Sequence, residues 1–99
     1  MTDTQLSQLI EGSKAILLEK WKEGFTVPTK NLYPFQWNWD SGFVSLGHSY
    51  FDLKKAMLEL DTLFKGQWEN GMVPHILFHS ENETTYFPNY DFWNSNVNQ

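Results

Sequence analysis

The chain has 99 residues, 40% of them hydrophobic and 19% charged, with a net charge of −5 from twelve carboxylates against seven lysines. That length allows one small domain at most, and the composition is that of a globular chain rather than a disordered one. Excess negative charge and the absence of arginine speak against nucleic acid, where cationic contacts to phosphate supply most of the affinity.

The N-terminal stretch MTDTQLSQLIEGSK lacks the basic, apolar and small-residue order of a secretion signal. No apolar run approaches the roughly 18 residues of a membrane span. The expectation is a cytosolic protein without a membrane partner. Leu6, Leu9, Ile10, Leu17, Trp21 and Phe25 fall at helical spacing, with Lys14, Lys20 and Lys22 on other faces, so the pattern predicts a helix from Asp3 to about Phe25. Thr2, Asp3 or Thr4 is placed to cap it, and Gly24 and Pro28 to end it.

Residues 26–39 carry Pro28, Pro34 and four aromatics without a period; they are predicted to form an ordered loop, because a flexible linker would not hold Tyr33, Phe35, Trp37 and Trp39. Helical spacing resumes at Phe43, Leu46, Gly47 and Tyr50, with Asp40 or Ser41 at the expected cap. A third helix follows Asp52, with Leu53, Ala56, Met57, Leu60 and Phe64 as its apolar stripe, Lys54, Lys55, Glu59 and Asp61 facing out, and Gly66 closing it. His48 has no obvious partner and reads as structural or exposed. Asn70-Gly71 is a turn signal and Pro74 blocks a helix. The remainder, from Ser80 to Gln99, is polar and aromatic without a period.

The stretch YPFQWNWDSGF, residues 33–43, is the chemically informative one. A pyranose ring has apolar C–H faces and a rim of hydroxyls; aromatic rings cover the first, and carboxylates and amides bind the second. In an extended chain Trp37 and Trp39 point to one side, and Asp40 at a helix start lies where backbone N–H groups favour negative charge. An ionised Asp accepts two charge-assisted hydroxyl bonds. The same residues also admit a structural reading, with Asp40 as a simple cap, Trp37 and Trp39 as wedges between helices, and Tyr33 as packing.

Other chemistries find less support. There is no cysteine and hence no thiolate site. His75 and His79 are four apart, but Pro74 and the apolar residues between them oppose the helix that metal-ligand spacing needs. No phosphate loop or dinucleotide fingerprint is present, so no cofactor is expected. Spacing singles out no catalytic carboxylate pair, although Glu69, Glu81, Glu83 and Asp91 lie in loops.

The segments NLYPFQWNWDSGFVSLG, ENGMVPHILF and TYFPNYDFW together resemble the start of the catalytic domain of mannosylglycerate and glucosylglycerate hydrolases in glycoside hydrolase family 63, and more distantly of trehalases. The resemblance runs from about residue 31 to 93, with WNWDS its most specific part. It implies an all-α (α/α)6 barrel of which residues 1–99 form the N-terminal portion, the partner being the rest of the same catalytic domain. It implies an inverting glycosidase with an Asp general acid and a Glu general base, both expected beyond Gln99, so that this segment alone is inactive. Carried over residue by residue, Asp40, Trp39, Trp37 and Tyr33 contact the −1 sugar, with Tyr86 and His75 added to the carbohydrate site. The alternatives are a stand-alone carbohydrate-binding module and a helical interaction module.

Overall fold

In the computed structural model, which describes residues 1–79, 87–88 and 90–94, helix α1 runs over Asp3–Lys20 and opens on a capping box. The Thr2 hydroxyl accepts the Gln5 N–H, and the Gln5 side chain returns to the Thr2 N–H, so two of the helix's unpaired amides are satisfied. The helix stops five residues earlier than the apolar spacing predicts. Trp21–Lys22 (β1) and Phe25–Thr26 (β2) instead form an antiparallel hairpin, with Trp21 opposite Thr26. Gly24 makes the reversal possible: its φ of 108° lies in the region that only glycine adopts at low cost, and a Cβ there would stand 3.1 Å from Thr62 Oγ1. The hairpin places Thr26 in the interior.

After the Pro-containing loop, Gln36–Trp37 (β3) pairs antiparallel with Ile76–Leu77 (β4). Asn38 extends this seam, donating its backbone N–H to His75 O at 2.9 Å and its side-chain amide to Pro74 O at 3.3 Å. Helix α2, Asn38–Ser49, begins directly on the strand; α3, Leu53–Phe64, follows after a short turn; and a single turn, α4, occupies Tyr90–Trp93. The described residues are therefore mostly helical, but the all-α expectation is corrected by two small two-stranded sheets. Asp52 caps α3 as expected, accepting the Lys55 N–H at 3.2 Å. The Asn70-Gly71 turn is present too, with Gly71 at a φ of 93° and its N–H bonded to Trp68 O.

The packing of α2 on α3 departs from the predicted faces. α2 buries Ser41, Ser45 and His48, and α3 buries Ala56, Glu59, Thr62 and Leu63. Ser45 Oγ donates to Ala56 O at 3.1 Å across the contact. The stripes expected inside lie largely outside: Phe43, Leu46 and Tyr50 on α2, and Leu53, Met57 and Phe64 on α3, are exposed. Both helices thus meet through small and polar side chains. Val27, Phe35, Trp37, Ala56 and Leu63 supply the buried apolar residues, and Phe35 meets Phe78 edge-on with ring centroids 4.8 Å apart. α1 buries none of its residues and touches α2 where Leu17 lies against Gly47.

Candidate functional site

The β3–α2 junction arranges the aromatic stretch. Because Asn38 already belongs to α2, the extended conformation ends at Trp37, whose backbone remains in the β region. Trp37 and Trp39 therefore do not share a side. Trp37 is 8% exposed, whereas Trp39 is 71% exposed and touches Phe43 at a centroid distance of 5.0 Å. This corrects the expectation that both indoles point to one side of an extended segment: one is a wall, the other a projecting face.

Asp40 is also displaced from its expected role. The residue before the helix is Trp37, which offers no side-chain cap, and Asp40 is the third residue of the first turn. Its side chain is half-buried, and among the described residues nothing hydrogen-bonds or ion-pairs with its carboxylate. The simple N-cap reading is thereby removed. Ser41, the other cap candidate, is buried in the helix interface.

Tyr33 stands edge-on to Trp37, with centroids 5.4 Å apart. On the other side, Trp37, Trp68, Met72, His75, Ile76 and Trp93 contribute to a largely apolar cavity of about 420 Å³. The structure thus brings Trp37 and His75 to one cavity, with Tyr33 packed edge-on against Trp37 outside its lining, while Trp39 and Asp40 project from the adjacent helix turn. Tyr86 lies outside the described residues. His79 stands apart from His75, stacking on Phe25 at 3.9 Å and bonding through Nε2 to Gln36 Oε1 at 2.8 Å. Burial, with Lys65 nearby, holds its pKa below 6.5.

Beneath the junction lies a polar cluster that the sequence reading missed. Glu59, expected to face out, is fully buried. Ser41 Oγ donates to Glu59 Oε1 at 2.8 Å, and Thr26 Oγ1 donates to Oε2 at 2.9 Å. Gln36 Nε2 donates to Ser41 Oγ at 3.0 Å and to the Glu59 carbonyl at 2.9 Å. His48, also fully buried, meets Thr26 Oγ1 through Nε2 at 3.2 Å. Loss of hydration raises the Glu59 pKa above 4.5, opposed by the hydrogen bonds from Ser41, Thr26 and Gln36. Burial lowers that of His48 below 6.5, assisted by the Lys55 charge and opposed by Asp52.

Two proton arrangements satisfy these contacts. An ionised Glu59 accepts from both hydroxyls while His48 Nε2–H donates to Thr26. A protonated Glu59 donates to Thr26, whose hydroxyl then turns to His48 Nε2. The second arrangement buries no charge, which is the direction in which both pKa values move. A sequence signal for Glu59 did exist: Ala56, Glu59 and Leu63 are spaced three and four apart and share one helix face. The more hydrophobic neighbouring stripe outweighed it.

Comparison with known proteins accords with this architecture. The family described as the mannosylglycerate hydrolase MGH1-like glycoside hydrolase domain matches residues 33–99. Mannosylglycerate hydrolase MGH1 of Selaginella moellendorffii is 49% identical over 92 residues, covering 93% of this chain and 19% of the relative. A glucosylglycerate hydrolase of Mycolicibacterium hassiacum is 45% identical over 62 residues, covering 63% of this chain and 14% of the relative. The crystal structure of a family 63 mannosylglycerate hydrolase from Thermus thermophilus, in complex with Tris and D-glycerate, superposes with a TM-score of 0.77 at 43% identity, covering 84% of this chain and 20% of that one. The chain spans about a fifth of the length of these relatives. It belongs to the MGH1-like glycoside hydrolase family.

Proposed function

We propose that this chain is the N-terminal part of an inverting α-glycosidase acting on a small glycosylglycerate, mannosyl or glucosyl, and that residues 33–40 contribute contacts to the −1 sugar. The observation that carries the reading is the 49% identity to a mannosylglycerate hydrolase over 92 residues, a match extending across nearly the whole chain. The geometry supports it. The Asp40 carboxylate has no partner among the described residues and is available to accept two sugar hydroxyls, and the exposed face of Trp39 suits the C–H face of a pyranose. Trp37 and His75 line the adjoining cavity, Tyr33 stands edge-on to Trp37, and Tyr86 joins them on the strength of the resemblance.

In this reading the general acid and base lie outside residues 1–99, with water held between them, and these residues alone bind without turning over. The exposed apolar stripes of α1, α2 and α3 favour packing within a larger barrel over a self-sufficient binding module, because contiguous apolar surface of this kind marks an interface. The test is hydrolysis of mannosylglycerate and glucosylglycerate by the complete gene product, followed by 1H NMR of the first-formed hexose. The β-anomer from an α-linked substrate is the expected product. Release of the α-anomer contradicts inversion, and no turnover of either substrate contradicts the proposed activity.

A further inference from the structure

The segment proposed to face the sugar, Trp37–Asp40, is bracketed by two fully engaged buried residues, Gln36 and Ser41. Both are tied to the same residue of α3. Gln36 donates one amide N–H to the Glu59 carbonyl at 2.9 Å and the other to Ser41 Oγ at 3.0 Å. Ser41 passes its own hydrogen to Glu59 Oε1 at 2.8 Å. The ends of a four-residue segment are thus cross-linked to one another and to one anchor.

Orientation within this anchor is fixed by its donors and acceptors. The Gln36 amide group has two hydrogens and uses both, while its Oε1 meets His79 Nε2 at 2.8 Å. Rotating the amide by half a turn would set its oxygen against the Glu59 carbonyl, acceptor against acceptor. Glu59 is itself held from the far side by Thr26 Oγ1, at the end of the β1–β2 hairpin. A carboxyl without a hydrogen-bonding role has no reason to be fully buried, because removing it from water costs several kcal/mol unless partners repay it.

We propose that the Glu59 carboxyl is a positioning group of the glycosidase, setting the placement of Trp37–Asp40 through Ser41, and through Ser41's bond to Gln36, without touching the sugar. This rests on the reading that Asp40 contacts substrate. Misplacing a substrate-positioning segment by an ångström costs up to about a hundredfold in rate, so the consequence is visible in kinetics and not only in stability.

The experiment compares four single variants of the complete glycosidase, each shown by its thermal transition to be folded at the assay temperature. Glu59→Met removes both acceptors; the expected result is a KM for glycosylglycerate raised about tenfold or more. Ser41→Ala cuts the link while leaving Glu59 in place, and decides the question if Glu59→Met does not fold; a rise of about fivefold in KM is expected. Glu59→Gln can accept from Ser41 with its oxygen and donate to Thr26 with its amide, and keeps KM within about threefold of wild type. Leu63→Ala, a buried α3 change that leaves the cluster intact, lowers the thermal midpoint but also keeps KM within about threefold. If folded Ser41→Ala and Glu59→Met retain wild-type KM, Glu59 only stabilises the fold and the inference is overturned. An inactive wild-type enzyme overturns the underlying sugar-site reading as well, so the two failures are distinguishable.

Discussion

Replacing Glu59 by leucine tests whether the polar cluster holds α2, α3 and the β1–β2 hairpin together. The substitution removes the acceptor of the buried Ser41 hydroxyl and one of the two partners of Thr26 Oγ1, which keeps His48 Nε2. The orphaned Ser41 hydroxyl costs about 1–3 kcal/mol and the lost Thr26 bond about 1 kcal/mol. A buried leucine in place of a carboxyl returns roughly 1–2 kcal/mol through the apolar area it adds. Taking the middle of each range, the expected net loss is about 1–2 kcal/mol. Glu59→Gln keeps every contact in the arrangement of a neutral acid, and its loss at acid pH should stay below about 1 kcal/mol.

The pH dependence sharpens this prediction. Burial raises the folded pKa of Glu59 above its unfolded value of 4.5, so the folded chain binds the proton more tightly. The stability Glu59 contributes is complete below 4.5 and is lost as pH rises through the folded value. Glu59→Gln has no such proton to lose, so its stability should gain on wild type as pH rises. Urea unfolding monitored by tryptophan fluorescence across a pH series reads both effects. A leucine variant as stable as the glutamine variant, or a Gln-to-wild-type difference independent of pH, would refute the reasoning.

Further outcomes follow from burial and geometry. Phe35→Ala empties a site that is 1% exposed and should cost about 3–5 kcal/mol in urea unfolding; a loss below 1 kcal/mol would contradict its place in the core. Gly66→Ala sets a Cβ 2.5 Å from Leu77 Cδ1 and 3.3 Å from Pro74 Cγ. Crowding there should cost about 1–3 kcal/mol, and an unchanged thermal midpoint would count against the packing of β4 under α3. His48, whose folded pKa lies below 6.5, contributes stability present above 6.5 and lost as pH falls through the folded value. An NMR titration of its ring should give a midpoint below 6.5 in the folded chain; one at or above 6.5 contradicts the buried environment.

What the sequence discloses here is local chemistry. Thr2 and Asp52 are readable as caps because a cap acts on amides two or three residues away, and Asn70-Gly71 reads as a turn for the same reason. The end of α1 is not readable in this way. Trp21 and Phe25 continue the helical spacing, yet they lie on a hairpin whose Thr26 reaches Glu59, 33 residues on. Likewise, apolar periodicity marks a face that gains from burial without naming what buries it. In α2 and α3 that face points outward, and Ser41, Ser45, His48 and Glu59 form the actual contact.

The candidate site divides along the same line. WNWDS is visible as a concentration of flat rings and a carboxylate, and the family match covers it. Trp37 and Trp39 do not share one face of a strand, because α2 starts between them, at Asn38. The anchor beneath, Glu59 with Gln36 and Ser41, becomes visible only when elements distant in sequence are assembled.

The most direct test of the central claim is Asp40→Asn in the complete gene product, assayed on mannosylglycerate and glucosylglycerate. Two charge-assisted hydroxyl bonds, each worth about 1.5–3 kcal/mol, predict a fall in kcat/KM of roughly a hundredfold or more with the thermal midpoint little changed. A folded Asp40→Asn enzyme with wild-type kcat/KM would contradict the assignment of this segment to the sugar.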